Sequence, residues 1–518
     1  PNDRTTIADL LDDVACGFYN GDDGEQYVHW RSTEGDRLFA ISSNAFSDQV
    51  RLEFRRRSGQ LIPAESLEKM RAHAAAIARQ QPVSTVWTRV GVDSDAVWWD
   101  LGGGSPKYVK LTPSGWSIEC SPSALMAKSP GMLSLPEPVT GGDLGLLRSL
   151  VNCPDDDAWC LLCSFLVGCF FPDTPLPLLI ITGEQGSGKS LLAKRIKQIV
   201  DPGQLMKGRL PKDDREWLPT ISNNYALVFD NLSRISADQS DALCTISTEG
   251  SFSSRALYTN KELVIVTARR PVIVTSIDRV VERADLSSRS IILQVSPLIR
   301  KYRTERELND RFAELLPQLL GGLCDAVCLA LAQRDHVRVD ASIRMSDFLR
   351  NAIAAETAFG FPAGATERAY LRMCRSTNND AIDSDELATA IIELCQAHNG
   401  EELNASEILQ KAKGQVDDST KLPAVNQFSR WAKRMAPVLR QAGAELEKGN
   451  RRGNKRPYLL RYFGHDNDDT NDDNGATTSS SSAQFDPKND NSDGMTAQDH
   501  YSLGSSDFDD SALGMFLR

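Results

Sequence analysis

Buried-strand and helix patterns alternate through the middle of the chain, from about residue 145 to residue 295. Short apolar runs of strand length are separated by longer segments whose apolar residues recur with helical spacing. This alternation predicts an α/β domain with a parallel sheet, because parallel strands need crossover connections between them. The strand-like runs lie at residues 178–181, 225–229, 271–275 and 291–295, and a further one is predicted near residues 204–207.

The segments on either side of this domain have different patterns. Short strands and a helix predict an α+β domain before it; a helical lid and then a unit of three helices and two strands are predicted after it. The last segment is low-complexity Asp, Asn and Ser and is predicted to be disordered. The predicted units are residues 1–140, 145–300, 301–380, 383–463 and 464–518.

Composition and charge narrow the function classes. The longest apolar stretch, residues 158–171, is too short to span a bilayer, so a core helix and no membrane partner are predicted. The eleven cysteines form no even framework, which favours a reducing cytoplasm over a secreted disulfide scaffold. Most of the net charge of −12 comes from the last segment, which has twelve Asp against Lys488 and Arg518. The remainder is therefore close to neutral and free to carry a local basic surface.

A glycine-rich turn follows the first strand of the α/β domain and opens a helix, as the phosphate-binding pattern G-x-x-x-x-G-K-S requires. The glycines let backbone N–H groups surround a phosphate, and the helix adds the positive end of its dipole. Lys189 is expected to reach the β- and γ-phosphates of ATP, and Ser190 to hold Mg²⁺. The predicted ATP-binding residues are Gly183, Glu184, Gln185, Gly186, Ser187, Gly188, Lys189 and Ser190.

Polar residues end two later strands of the same domain. Asp230 ends one strand, and because ligands gather at the carboxyl ends of parallel strands, it is expected to bind Mg²⁺ with Ser190. Thr275 ends another and is placed to contact the γ-phosphate or to position the attacking water. Arg289 precedes the last strand and is predicted to reach the nucleotide of a neighbouring subunit, the alternative being a surface salt bridge.

Between these strands lies a predicted β-hairpin. Two β-rich runs, residues 255–258 and 262–267, are joined by a turn at residues 259–261. This spacing places Lys261 at or near the tip of the hairpin.

The series GEQGSGKS, LVFDNLS, a hairpin, RPVIVTSI and ERADLSSRS resembles an AAA+ ATPase of the hairpin-bearing branch. That branch includes the superfamily 3 helicases of viruses and the helicase part of phage and mobile-element primase-helicase proteins. The resemblance covers roughly residues 80–460. It implies a ring, usually a hexamer, in a bacterial or phage-infected cell. It also implies that Arg289 is an arginine finger, that Thr275 is in the sensor-one place, and that Lys261 reaches into a channel to hold DNA.

One residue departs from the pattern of this branch. Many such ATPases follow the strand-ending Asp with a Glu that polarises water, and Asn231 takes that place here. An amide is not a base, so the catalytic base stays open between Asp230 and a carboxylate elsewhere.

The unit at residues 383–463 is predicted to be a winged helix, because its third helix is followed by two strands joined by a basic turn. The turn resembles a wing that neutralises DNA phosphates without reading bases. Its predicted DNA-binding residues are Arg451, Arg452, Lys455 and Arg456. The acidic tail ends in a mixed acidic and apolar sequence, a candidate site for a protein partner or only a solubilising extension.

Two functions remain in view. The first is an ATP-hydrolysing DNA helicase or translocase of a replication or mobile-element system, acting as a homo-oligomeric ring on single-stranded or forked DNA. The second is an ATP-gated DNA-binding assembly, such as a loader, initiator or phage-defence sensor, that does not unwind processively. Asn231 favours the second, because it makes slow hydrolysis the expectation.

Overall fold

The computed structural model describes residues 7–464 apart from short gaps. The gaps are residues 33–34, 104–105, 249, 256–262, 278–282, 298–303, 342, 384, 417–421 and 451–455. The predicted tail and most of the predicted wing residues therefore lie outside the described residues.

Two small sheets come first in the chain. The first has the order β3-β2-β1-β4 and is packed against three helices. Its elements are α1 (Ile7–Val14), β1 (Ala15–Gly21), β2 (Gln26–Trp30), β3 (Arg37–Ala40), α2 (Asn44–Ser58), α3 (Ala64–Arg79) and β4 (Val83–Ser84). The second is an antiparallel meander of β5 (Val90–Val92), β6 (Val97–Asp100), β7 (Tyr108–Thr112) and β8 (Gly115–Glu119).

The α/β domain follows, and its sheet is parallel in the order β10-β13-β9-β14. The prediction of an α/β fold with a parallel sheet is therefore confirmed. Its elements are α4 (Asp156–Gly168), β9 (Leu178–Thr182), α5 (Lys189–Val200), α6 (Asp214–Asn223), β10 (Leu227–Leu232), α7 (Ala237–Thr248), β11 (Gly250–Arg255), β12 (Leu263–Ala268), β13 (Val272–Ser276), α8 (Ala284–Ser287) and β14 (Ser290–Gln294).

The strand predicted near residues 204–207 was wrong. That segment is irregular and is held by single bridges at its two ends, from Gly203 to Met132 and from Gly208 to Phe229. Because the two bridges go to different partners, no continuous ladder can form between them.

The remaining elements are helical and then mixed. They are α9 (Glu305–Gln333), α10 (Ser346–Ala354), α11 (Ala365–Asp383), α12 (Glu386–Ala397), β15 (Glu402–Leu403), α13 (Ala405–Ala412), α14 (Val425–Gln441), β16 (Ala444–Lys448) and β17 (Tyr458–Tyr462). The last three strands form an antiparallel sheet in the order β15-β17-β16.

One large hydrophobic core holds the α/β domain to its neighbours. Helix α4 is buried from Ala158 to Gly168, as the apolar sequence of that part predicts. It packs against α11, α10, α9 and β14. Side chains of β9, α5 and the meander, such as Trp99, belong to the same core. The phosphate-loop strand β9 therefore belongs to a hydrophobic core that extends beyond the α/β domain.

Helix α9 is the long apolar helix of this core. By length and composition alone, residues 305–336 could cross a bilayer, but more than half of the most apolar part of this helix is buried in the core. This helix contains two adjacent glycines, Gly321 and Gly322. Gly321 cannot be replaced by a larger residue, since a Cβ there would lie 1.8 Å from the carbonyl oxygen of Val139. The connecting segment thus runs directly across the helix, where only glycine leaves room.

Candidate nucleotide site and nucleic-acid surface

The phosphate loop joins the buried strand β9 to helix α5, as predicted. Three of its glycines adopt positive φ angles, 151° at Gly183, 82° at Gly186 and 86° at Gly188. A Cβ on Gly183 would lie 2.1 Å from the carbonyl oxygen of Val295, so only glycine fits there. Gly188 is the residue before the first turn of α5, whose backbone N–H groups are available to an anion. The loop therefore has the backbone shape of a phosphate cradle.

Lys189 lies inside this loop. Its side-chain ammonium donates hydrogen bonds to the carbonyl oxygens of Gly183 and Glu184, each at 2.6 Å. The residue is only 7% exposed. A buried lysine needs charge-compensating partners, and phosphate oxygens would meet that need better than two neutral carbonyls.

Ser190, Asp230 and Thr275 converge at the carboxyl edge of the sheet. The hydroxyl groups of Ser190 and Thr275 both donate to Asp230 Oδ1, each at 2.7 Å. Thr275 is fully buried at the end of β13, the strand between β10 and β9. Ser190 and Thr275 are 40 and 45 positions away from Asp230 in the sequence. The strand order brings Thr275 to Asp230, and the start of α5 after β9 brings Ser190 there.

These oxygen atoms fit Mg²⁺. Mg²⁺ is usually held through one or two carboxylates together with water and substrate phosphates. Ser190 Oγ and Asp230 Oδ1 supply a hydroxyl and a carboxylate oxygen beside the phosphate loop. Within the described residues no cluster of three or more His, Cys, Asp or Glu side chains forms a separate metal cage.

Asn231 lies on a bulge in β10. The pairing of β10 with β13 shifts register between Phe229 and Leu232, and Asn231 has a φ angle of 59°. Asn is among the few residues besides Gly that adopt this left-handed conformation at low cost. The backbone N–H of Asn231 donates to Thr275 Oγ1 at 2.8 Å, while its side chain is exposed. The bulge therefore joins Asp230 and Thr275 through the backbone as well as through side chains.

Lys207 is a member of this cluster that the sequence reasoning missed. Its ammonium lies 2.6 Å from Asp230 Oδ2. Burial raises the pKa of Asp230, but hydrogen bonds from Lys207, Thr275 and Ser190 outweigh it and hold that pKa below the ordinary 3.8. Asp230 is therefore ionised at neutral pH. Nothing in the local pattern marks Lys207, because a single lysine between Met206 and Gly208 belongs to no recognisable motif.

Arg289 is far from the phosphate loop of its own chain. Ser290 pairs with Leu178 and Gln294 with Thr182, so Arg289 lies at the amino end of the sheet. A five-residue strand separates the two ends by about 16 Å. The guanidinium of Arg289 is 2.5 Å from Asp285, which also pairs with Arg344 at 2.9 Å. Arg289 therefore forms the salt bridge that was the alternative prediction. Because it lies at the opposite end of the sheet from its own phosphate loop, it could contact only the nucleotide of another subunit.

The predicted hairpin is present as the antiparallel pair β11–β12, in which Arg255 pairs with Leu263. Its first strand was predicted at residues 255–258 and is found at residues 250–255, and residues 256–262 lie outside the described residues. Lys261 lies outside the described residues. So do Arg451, Arg452 and Lys455 at the predicted wing. Arg456 is exposed, and its Nε donates to the carbonyl oxygen of Gly449 at 3.1 Å.

Helix α14, which precedes the β16–β17 hairpin, carries exposed basic side chains. They are Arg430, Lys433, Arg434 and Arg440. Arg440 pairs with Glu445 at 2.8 Å, and Arg434 lies 3.6 Å from Asp385. Within the described residues, the exposed basic side chains of α14 together with Arg456 therefore form the candidate basic surface.

Comparisons with known proteins agree with the resemblance seen in the motifs. Residues 144–376 match the family model described as actinomycete integrative conjugative element replication protein. These residues include the whole parallel sheet and the Asp230 cluster. The resemblance to replication proteins of mobile elements is confirmed by this match. No curated protein matches the chain.

Two solved structures are similar over most of the chain at low identity. An active helicase, SCCmec type IV Cch, is 14% identical, with 87% of this chain and 94% of that chain covered and a TM-score of 0.41. The NrS-1 C-terminal region in its apo A form is 14% identical, with 88% and 99% covered and a TM-score of 0.42.

Proposed function

We propose that this protein is an ATP-hydrolysing motor of a mobile-element replication system that moves on DNA as a homo-oligomeric ring in a bacterial cytoplasm. The observation that carries the proposal is the convergence of Ser190, Asp230 and Thr275 beside the phosphate loop. The family match over residues 144–376 supports the biological setting.

In this proposal the residues of the cluster divide the work of phosphoryl transfer to water. Lys189 binds the β- and γ-phosphates, and Ser190 and Asp230 hold Mg²⁺. When bound, Mg²⁺ neutralises charge on the phosphate oxygens. Thr275, through its hydroxyl group, holds Asp230 and the backbone of Asn231 in the positions from which they face the attacking water and the γ-phosphate. The amide of Asn231 cannot take a proton, so the proton of the water goes to Asp230, to phosphate or to a carboxylate of another subunit.

Arg289 completes the nucleotide site of a neighbouring subunit in the proposed hexameric ring. Its position at the opposite end of the sheet from its own phosphate loop supports action in trans. An arginine supplied in this way stabilises the charge that develops on the transferring phosphoryl group. Hydrolysis then depends on assembly.

The contacts with DNA are proposed at two places. Lys261, on the β11–β12 hairpin, holds single-stranded DNA in the channel. The three helices α12, α13 and α14 with the β16–β17 hairpin act as a winged helix that binds DNA phosphates through Arg456 and its basic neighbours in the wing. Because these contacts go to phosphates, binding should weaken with salt and show little dependence on sequence.

A strand-displacement assay on forked DNA tests the proposal. The wild type should unwind the fork with ATP, and Lys189→Ala and Arg289→Ala should each abolish hydrolysis. Lys261→Ala should retain ATPase activity but lose unwinding, while Lys69→Ala, an exposed lysine on α3, should behave as wild type. Full unwinding by Lys261→Ala would contradict the hairpin assignment.

A mixing experiment tests the role of Arg289 in trans. Lys189→Ala chains keep Arg289, and Arg289→Ala chains keep the phosphate loop, so a mixed ring contains some complete sites. Partial recovery of ATPase activity on mixing is expected. If mixtures stayed as inactive as the separate variants while both still assembled, Arg289 would not act across a subunit boundary.

An ATP-gated DNA-binding assembly is the second candidate. The exposed amide of Asn231, at the place where a carboxylate would polarise water, favours it. In that case ATP should change the size of the assembly and its affinity for DNA, without displacement of a strand.

A further inference from the structure

The ion pair between Lys207 and Asp230 links an irregular surface segment to the candidate metal site. Lys207 is the only residue of the cluster described above that is placed by neither the phosphate loop nor the ends of β10 and β13. Its side chain is 57% exposed, against 14% for Asp230. An exposed ammonium on a flexible four-carbon stem can change partners at low cost.

The backbone beside Lys207 is anchored to the sheet. The N–H of Gly208 donates to the carbonyl oxygen of Val228 at 2.8 Å, two residues before Asp230 on β10. This bond keeps the base of the side chain next to the strand that carries the carboxylate. The backbone at Lys207 is therefore fixed beside the site, while its side chain is more than half exposed and has room to reorient.

A Mg²⁺ ion bound at Asp230 would compete with Lys207 for the same carboxylate. Oδ1 of Asp230 already accepts from Ser190 and Thr275, and Oδ2 accepts from Lys207. A metal ion bound by Ser190 and Asp230 would bring two positive charges next to the ammonium. The triphosphate that arrives with the metal brings more negative charge than Asp230 offers.

We propose that Lys207 is a further phosphate-binding residue, which exchanges Asp230 for the γ-phosphate when Mg·ATP binds. The proposal rests on the proposed nucleotide site and adds a second cation to it. Lys189 serves the β- and γ-phosphates from inside the loop, and Lys207 serves the γ-phosphate from the β10 side of the sheet. Because ADP has no γ-phosphate, Lys207 then distinguishes the two nucleotides.

Binding measurements with the full chain test this inference without hydrolysis. The affinities for Mg·ADP and for a non-hydrolysable Mg·ATP analogue are compared by calorimetry for wild type, Lys207→Met and Lys207→Arg. Lys207→Met should weaken binding of the analogue about tenfold and change binding of ADP less than about twofold, since one charge-assisted hydrogen bond is lost. Lys207→Arg should recover most of the affinity for the analogue.

The matched control is Lys212→Met, an exposed lysine in the same connection between α5 and α6. It should bind both nucleotides as wild type does. Equal tightening of both nucleotides by Lys207→Met would mean that Lys207 only opposes Mg²⁺ at Asp230, and no change would mean a surface ion pair; either result overturns the inference. Lys189→Ala distinguishes a failure of this inference from a failure of the proposed nucleotide site, because unimpaired nucleotide binding by that variant would overturn the site itself.

Discussion

The guanidinium of Arg89 lies 2.9 Å from the carboxylate of Asp201, and both side chains are buried. Arg89 stands just before the meander, and Asp201 ends the helix that begins in the phosphate loop. Lys197 donates to the other carboxylate oxygen at 2.8 Å. The far end of the phosphate-loop helix is thus held by a charge network that reaches into the preceding sheet, with Arg89 at an unusual φ of 64°.

Arg89→Met should lower the free energy of unfolding by about 3–5 kcal/mol, because it leaves the buried Asp201 short of a partner. Arg89 also donates to the carbonyl oxygens of Asp100, Leu133 and Pro202, which would lose their donors. Chemical denaturation followed by tryptophan fluorescence measures the change.

The control for this prediction is Arg51→Met. Arg51 pairs with Asp48, and both side chains are more than half exposed, so a loss below about 1 kcal/mol is expected. If Arg89→Met and Arg51→Met unfolded at the same denaturant concentration, the network around Asp201 would not stabilise the fold.

The pH dependence of the unfolding free energy should show the ionisation of Asp201. Burial raises its pKa, but the charges of Lys197 and Arg89 outweigh burial and hold that pKa below the ordinary 3.8. A carboxylate with a lowered pKa contributes stability above its unfolded value, and the contribution is lost as the pH falls through the folded value. The difference in unfolding free energy between wild type and Asp201→Asn should therefore be largest near about pH 7 and shrink toward about pH 3. A constant difference over that range would exclude this ion pair as its cause.

Thr275→Val should lower the turnover number for ATP by about ten- to a hundredfold, with a KM changed less than about threefold. Valine keeps the shape but removes the hydroxyl group that joins Asp230 to the backbone of Asn231. Thr275→Ser keeps that hydroxyl group and should retain activity within about threefold of wild type. Steady-state ATPase assays on the three proteins are the measurement, and equal losses in both variants would contradict the role of the hydroxyl group.

The sequence predicted those parts of the site that depend on strand order. The phosphate loop has a local pattern, and Asp230 and Thr275 each end an apolar run, so the rule that ligands gather at strand ends brought them together. The strand predicted near residues 204–207 was wrong because the two ends of that segment bridge to different partners, at residues 132 and 229, and no ladder forms between them.

The contacts of Lys207 and Arg89 could not be predicted in the same way. Each is a single charged residue whose partner is fixed by tertiary packing across 23 or 112 positions. No periodicity or turn signal carries that information, since the local pattern of an arginine in a buried pair is the same as that of one in water. The bulge at Asn231 is an intermediate case, because Asn is permitted at a positive φ but does not require it.

Substitutions at Asn231 test the bulge that presents Asp230. Glycine adopts a φ near 59° without strain, whereas a β-branched side chain does so only at a cost of about 1–2 kcal/mol. Asn231→Gly should therefore keep the stability and the nucleotide affinity of the wild type. Asn231→Val should lose both, because the strained bulge shifts the neighbouring Asp230 away from Ser190. Denaturation and binding of a non-hydrolysable ATP analogue measure the two effects. If the valine variant matched the glycine variant in both, the left-handed backbone at Asn231 would not be what positions the carboxylate.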